Sequence, residues 1–214
     1  MSSHRPLFIT VDGIDGVGKS TQIASLNGLL TDRGHRCLLT RDPGTSEIGQ
    51  RLRALLLESD LTMHRRTEAM LFMASRCEMV ESTIRPALRD GVSVISDRFL
   101  LANVVYQSIG DGGAEMVDPE LLWKLGRLAN GGIQPDLTLL LDMPAAAALA
   151  RIKGPRDRME SRGEGYLERV RQAFLEQLPQ SSDATVVINA DQPVESVTAE
   201  IESAIADYAA CQSG

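Results

Sequence analysis

The 214-residue chain is short of several things whose absence narrows its role. No apolar run approaches the ~18 residues that a membrane span needs, which excludes a helical membrane protein. Its first residues, Met1-Ser2-Ser3-His4-Arg5-Pro6, lack the apolar segment of a secretory leader, so a cytoplasmic protein with no membrane partner is expected. Basic charge is in deficit. Lys and Arg number 22 against 29 Asp and Glu, a net charge of −7. A general nucleic-acid binder shows the opposite balance, so no nucleic-acid partner is expected. The cysteines are few and odd in number: Cys37, Cys77 and Cys211, with no metal-ligand spacing. They read as free thiols in a reducing compartment. No internal repeat or low-complexity tract appears, and a single domain over residues 1–214 is expected.

What is present is a complete phosphate-binding pattern. Gly13-Ile14-Asp15-Gly16-Val17-Gly18-Lys19-Ser20 fits G-x-x-x-x-G-K-[ST] at every fixed position. Ahead of it, Leu7-Phe8-Ile9-Thr10-Val11 is a short β-rich run. Behind it, Ile23, Leu26, Leu29 and Leu30 mark one face of a helix beginning at Thr21. Strand, glycine loop and helix together turn backbone N–H groups around an anion, and the helix N-terminus adds partial positive charge. Lys19 reaches the β- and γ-phosphates of a nucleoside triphosphate in such a loop, and Ser20 ligates Mg²⁺.

The rest of the chain alternates. Further strands are predicted over 36–40, 92–96, 137–141 and 185–188. Helices are predicted over 48–57, 65–89 (with Pro86 kinking or dividing it), 100–108, 119–129, 144–152, 166–178 and 194–210. Thr45 or Ser46 caps one of these and Asp118 another. Gly110-Asp111-Gly112-Gly113 is expected to be a mobile turn. Near-continuous apolar strands separated by helices predict an α/β fold, a five-stranded parallel sheet flanked by helices. Ligands then bind beyond the strand C-terminal ends, where residues 12–20, Arg41-Asp42, Asp97-Arg98 and Asp142 gather.

Three further groups carry chemistry, each with a plainer alternative. Asp97 at the end of the third strand suits a metal-binding acid near the loop, and Arg98 a bidentate phosphate grip; an ion pair tidying a strand end fits equally. Arg41, Arg76 and Arg98 exceed what one triphosphate requires and suggest a second anion. Arg76 stands four residues after Phe72, so a guanidinium and an aromatic plane share a helix face, as a nucleobase site would want. A solvated arginine and a core phenylalanine are the alternatives, and spacing alone favours the latter for Phe72. Finally, the basic, glycine-containing stretch about 153–165, with Arg156 and Arg158, reads as a lid closing over ATP or as an ordinary solvated loop.

Taken in order, these segments resemble bacterial thymidylate kinases, of the nucleoside-monophosphate kinase group. Residues 12–20 look like that family's opening motif. Thr40-Arg41-Asp42-Pro43-Gly44 resembles its T-R-E-P-G loop, and Leu71-Phe72-Met73-Ala74-Ser75-Arg76 its L-F-x-A-x-R helix. Asp97-Arg98-Phe99, Tyr106-Gln107, and the strand from Pro135 to Asp142 follow in the family's order. The resemblance implies the three-layer P-loop kinase fold with a short lid, and ATP-dependent phosphorylation of dTMP to dTDP in dTTP biosynthesis, with Mg²⁺. It implies a loop from Gly13 through Ile14, Asp15, Gly16, Val17, Gly18, Lys19 and Ser20 to Thr21 that binds ATP. Phe72 would stack on thymine, Arg76 would contact the base, Asn103 would read the thymine edge, Tyr106 would lie against the sugar, and Gln107 would belong to the substrate-binding set. Arg41 and Arg98 would hold the acceptor phosphate, and Asp15, Ser20 and Asp97 would stand at the metal. Lys19, Arg98, Asp15, Arg156 and Arg158 form the implied catalytic set. No arginine lies inside the loop, so the lid would supply it. A homodimer is also implied.

Ala102 stands where the family often has serine. Val105 replaces a small alanine and is expected to narrow the sugar pocket. Two other activities fit many of the same residues: a deoxynucleoside kinase with Asp42 as base, or a broader pyrimidine monophosphate kinase. A nucleotide-dependent binding module is the non-enzymatic alternative.

Overall fold

A computed structural model describes residues 5–59, 61–109, 116–152 and 163–212. Five strands build one sheet: β1 (Phe8–Asp12), β2 (Cys37–Arg41), β3 (Ser93–Asp97), β4 (Leu137–Asp142) and β5 (Ala184–Asn189). Their order across the sheet is β2-β3-β1-β4-β5, and every pairing is parallel. The three inner strands are buried on both faces, which is why they read as apolar runs rather than alternating ones. The edge strands β2 and β5 are more exposed.

Nine α-helices are described around the sheet: α1 (Lys19–Asp32), α2 (Glu47–Arg53), α3 (Arg65–Met79), α4 (Arg85–Arg89), α5 (Leu100–Ser108), α6 (Pro119–Ala129), α7 (Ala145–Arg151), α8 (Glu164–Gln177) and α9 (Val194–Gln212). Ser46, not Thr45, caps α2, accepting from the amide of Gly49 at 2.9 Å. Asp118 caps α6 ahead of Pro119. The predicted helix over 65–89 is unbroken in sequence but holds a wide π-turn at Val80–Ile84 between α3 and α4. That turn directly precedes α4, whose second residue is Pro86, where a proline ring would otherwise press on the carbonyl four residues back. Helix α8 begins at Glu164, so the last residues assigned to a lid are helical instead. The turn expected at 110–113 and residues 153–162 lie outside the described residues.

The core is continuous across the β1–β3–β4 centre. Phe8 on β1 meets Phe99 edge-on, with ring centroids 5.0 Å apart. No helix among the described residues is long and apolar enough to cross a membrane.

Candidate active site

The loop between β1 and α1 holds its shape through glycine. Gly13 and Gly16 adopt φ values of 137° and 87°. A Cβ on Gly13 would meet the Leu141 carbonyl oxygen at 2.4 Å, and one on Gly16 the Ala148 carbonyl oxygen at 2.2 Å. Any side chain there would push the loop off β4 and α7. Ile14 and Val17 face the core, so they serve the loop through their backbones. Lys19 is buried, and its Nζ donates to the carbonyls of Gly13 and Ile14 at 3.0 and 2.8 Å and to Asp15 Oδ1 at 3.3 Å. Burial and the nearby Arg98 charge push its ammonium down to about 8, against the pull of Asp15 and Asp97. Ser20 and Thr21 are exposed in the first turn of α1, and that helix end has no side-chain cap. Its amides are therefore available to an anion. These residues line a cleft with Arg41, Asp97 and Arg98.

Arg98 is the junction of the site. It sits in the left-handed region, φ 69°, uncommon for a side chain of its size. Its amide donates to Val11 O at 3.1 Å, and Ser96 Oγ donates to its carbonyl at 2.6 Å, so both flanks hold the turn. The guanidinium stacks over Tyr106 at 5.0 Å and donates from Nη2 to Asp15 Oδ1 at 2.6 Å. Burial alone would raise the Asp15 carboxyl, but Arg98 and Lys19 outweigh it and hold it well below the usual carboxylate range. Nη1 of Arg98 is buried with no protein hydrogen-bond partner, which leaves donors for a bound anion.

A second cleft opens on the other side of Arg98. Asp15, Arg41 and Arg98 line both clefts. Phe72, Phe99, Ala102 and Tyr106 supply its apolar walls. Its floor is a buried polar series. Arg76 is 1% exposed, and its Nε donates to Asp42 Oδ2 at 2.6 Å while Nη1 donates to Asn103 Oδ1 at 3.1 Å. Asn103 Nδ2 donates to Gln107 Oε1, and Gln107 Nε2 to Glu68 Oε1 at 3.1 Å.

The described residues predicted for the site line one cleft or the other, save Gly13, Ile14 and Val17, which shape the loop; Asp142 lines neither and pairs with Arg171. Arg76 is no solvated helix arginine, and Phe72 faces the cleft rather than serving only the core. Asp42 gives Oδ2 to Arg76, while its Oδ1 is buried without a hydrogen-bond partner. Val105 is fully buried and absent from the cleft lining, so it does not narrow a sugar pocket; Ala102 does line the cleft. Arg156 and Arg158 lie outside the described residues.

One functional candidate escaped the sequence reading, Arg53, and another, Asp12, was placed at the ligand-binding end of the sheet without a role. Arg53, at the end of α2, lines the second cleft and donates to Pro43 O at 3.0 Å. Burial and Arg41 push its guanidinium downward. Its only sequence signal was position within the helix that follows the Arg41 loop. Asp12 closes β1, fully buried, with neither carboxylate oxygen hydrogen-bonded. Burial pushes it up to about 7, against Arg98 and Lys19. Its signal was an acid ending an otherwise apolar central strand.

Oxygen donors suited to a hard cation stand at the first cleft. Asp97 and Ser20 both line it, and one buried oxygen of Asp97, Oδ1, has no hydrogen-bond partner. Asp15 also lines it, with Oδ1 given to Arg98 and Lys19. The residues present fit Mg²⁺.

Comparison with known proteins bears on the same residues. The model of the family described as thymidylate kinase matches residues 11–201. A thymidylate kinase of Rhodopirellula baltica is 61% identical over 194 residues, covering 91% of this chain and 78% of that protein. One of Desulforudis audaxviator is 42% identical, covering 87% of this chain and 84% of the relative. One of Thermosipho africanus is 36% identical, covering 93% and 97%. The matched span runs from the first cleft's strand through both clefts to the last helix, and the chain belongs to the thymidylate kinase family.

Proposed function

We infer that the protein transfers the γ-phosphoryl group of ATP to dTMP, giving dTDP and ADP. The observation that carries this is the sharing of Asp15, Arg41 and Arg98 between two clefts. One cleft has the loop, Lys19 and a helix N-terminus for a triphosphate. The other has aromatic walls, amides and arginines for a nucleoside monophosphate. A phosphate acceptor is already ionised at neutral pH, so no general base is required. A dTMP phosphate oxygen forms the new bond to the γ-phosphorus, while the bond to the β,γ-bridging oxygen breaks and its electron pair leaves with ADP. The protein's part is to hold two anions in line and neutralise them.

In this reading Lys19 and the loop amides hold the donor. Arg41, Arg53 and Arg98 hold the acceptor phosphate. Phe72 stacks on thymine, Tyr106 lies against the sugar, and Arg76, Asn103 and Gln107 face the base. Ser20 and Asp97, with Asp15, would hold Mg²⁺, which supplies charge neutralisation to the phosphates when bound. Arg156 and Arg158 would supply further positive charge at the transferring group. The chain acts as one catalytic domain, and it pairs with a second copy. Exposed Leu121 and Leu128 on α6 and Met70 on α3, two helices in contact, support that pairing.

The arginines of the second cleft disfavour a nucleoside acceptor, which has no phosphate to meet them. An ADP-release assay across dTMP, dUMP, dCMP and thymidine, with Lys19→Ala as control, tests the reading. dTMP should be the best acceptor and the variant inactive. Equal use of thymidine, or near-normal turnover by the variant, would overturn it.

A further inference from the structure

We propose that Glu68 is a specificity-determining positioning residue: it terminates a one-directional buried relay that locks Asn103 and Gln107 in single amide orientations, so the second cleft serves a thymine edge and rejects a cytosine edge. The inference rests on reading that cleft as the pyrimidine monophosphate site.

The relay runs Arg76, Asn103, Gln107, Glu68, and its members are 1%, 4%, 1% and 2% exposed. Its ends have opposite and unambiguous character. A guanidinium only donates, and a carboxylate only accepts. Arg76 Nη1 therefore faces Asn103 Oδ1, which leaves Asn103 Nδ2 to donate to Gln107 Oε1. Gln107 Nε2 then donates to Glu68 Oε1. Asp42 anchors the other side of Arg76, and Arg65 Nη1 lies 3.7 Å from the same Glu68 oxygen. Turning over Gln107 alone would set its NH₂ against Asn103 Nδ2 and its carbonyl against the Glu68 carboxylate. Turning over both amides would set Asn103 Nδ2 against Arg76. Each mismatch falls where water does not reach to repair it.

This matters because thymine and cytosine present inverted patterns. Thymine offers a carbonyl acceptor at C4 and an N3–H donor. Cytosine offers an amino donor at C4 and an N3 acceptor. An amide free to turn over serves both edges, and an amide held in one orientation serves one. Asn103 and Gln107 line the cleft, each with one N–H and one lone pair beyond its relay bonds. Glu68 does not line the cleft, so its influence passes through Gln107.

The test compares kcat/KM for dTMP and dCMP in the full chain, with ATP as donor, for wild type, Glu68→Gln, Glu68→Asp and Glu68→Met. In Glu68→Gln, Gln107 donates to that oxygen and the Arg65 charge lies 3.7 Å from it, so the carbonyl stays inward and the wild-type ratio is retained. Glu68→Asp withdraws the acceptor by one methylene, and Glu68→Met removes it. Both should lower the dTMP:dCMP ratio by about tenfold or more, with dTMP KM rising more than kcat falls. A merely structural role would reduce use of both nucleotides together and leave the ratio unchanged. Wild-type ratios in Glu68→Asp and Glu68→Met overturn the proposal, as does a Glu68→Gln ratio that falls as far as theirs. Should Glu68→Met fail to fold, Glu68→Asp decides. A wild-type enzyme that does not prefer dTMP refutes the functional reading instead, and the relay is then judged by whether whatever preference exists collapses in Glu68→Asp.

Discussion

Arg98 Nη2 lies 2.6 Å from Asp15 Oδ1, and this ion pair spans the boundary between the two clefts. Asp15 also meets Lys19, so one carboxylate orients a cation on the donor side and another on the acceptor side. Asp15→Asn keeps the shape and removes the charge. Arg98 would keep its stack on Tyr106 but lose its charged anchor. The expected result is a fall in kcat/KM for dTMP of roughly 100-fold, the scale of losing one preorganised charge contact. Steady-state kinetics with retained thermal stability check it. A change under threefold would mean that Arg98 is positioned without Asp15.

Lys19 gives a pH prediction of definite sign. Burial, then Arg98, bring its ammonium down to about 8 in the unliganded protein. Only the charged form attracts the triphosphate. As pH rises through 8 the free enzyme loses that charge, so kcat/KM for ATP should decline by up to tenfold per unit above pH 8. Bound phosphates favour the ammonium, so kcat should hold to higher pH. A kcat/KM profile flat to pH 10 would show that burial and Arg98 do not push the Lys19 ammonium down in the free protein.

The sheet was legible because β1, β3 and β4 are buried on both faces and so are written as apolar residues with small Ser and Thr among them, each run ending in Asp. The donor loop was legible because close approach of backbone to Leu141 and Ala148 admits only glycine at Gly13 and Gly16. The acceptor side was legible in outline through family motifs, but its logic was not. Nothing in the spacing of Glu68, Arg76, Asn103 and Gln107 says that two helices will lay them in one buried series. Arg53 stayed hidden because an arginine near a helix end is usually a solvated one. Val105 misled because a residue two before Gln107 on a helix faces away from the cleft that Gln107 lines.

Asp12 should stabilise the fold when its charge is removed. Its folded carboxyl is raised by burial to about 7, from 3.8 in a free side chain. Below pH 3.8 it is protonated in both states and imposes no penalty. As pH rises from 3.8 towards 7, the unfolded chain releases a proton that the folded one retains, so stability falls, and above 7 the penalty is complete. Asp12→Asn does not titrate. Its melting temperature should match wild type near pH 4 and exceed it by several degrees at pH 8, on the order of 1–3 kcal/mol. Activity should drop, as expected where stability has been traded for a functional charge. A variant less stable than wild type at pH 8 would show that Asp12 holds the fold together.

Arg171 on α8 meets Asp142 at the end of β4 through two hydrogen bonds of 2.7 and 2.8 Å and also donates to Glu168 at 2.8 Å. Glu168 in turn accepts the amide of Ala145 at the start of α7. The network thus ties α7 and α8, which lead into and out of residues 153–162, to the same strand end. A bidentate, half-buried guanidinium–carboxylate pair is stronger than an exposed one, and its loss should remove about 1–2 kcal/mol. For a chain of this size that is a drop in melting temperature of about 2–8 °C for Arg171→Met. Because Arg156 and Arg158 lie between these helices in the chain, kcat should fall more than dTMP affinity does. A double-mutant cycle with Asp142→Asn isolates the pair: the coupling should be about 1 kcal/mol. Strict additivity of the two substitutions would leave the contact without energetic weight and the helix stems held by packing alone.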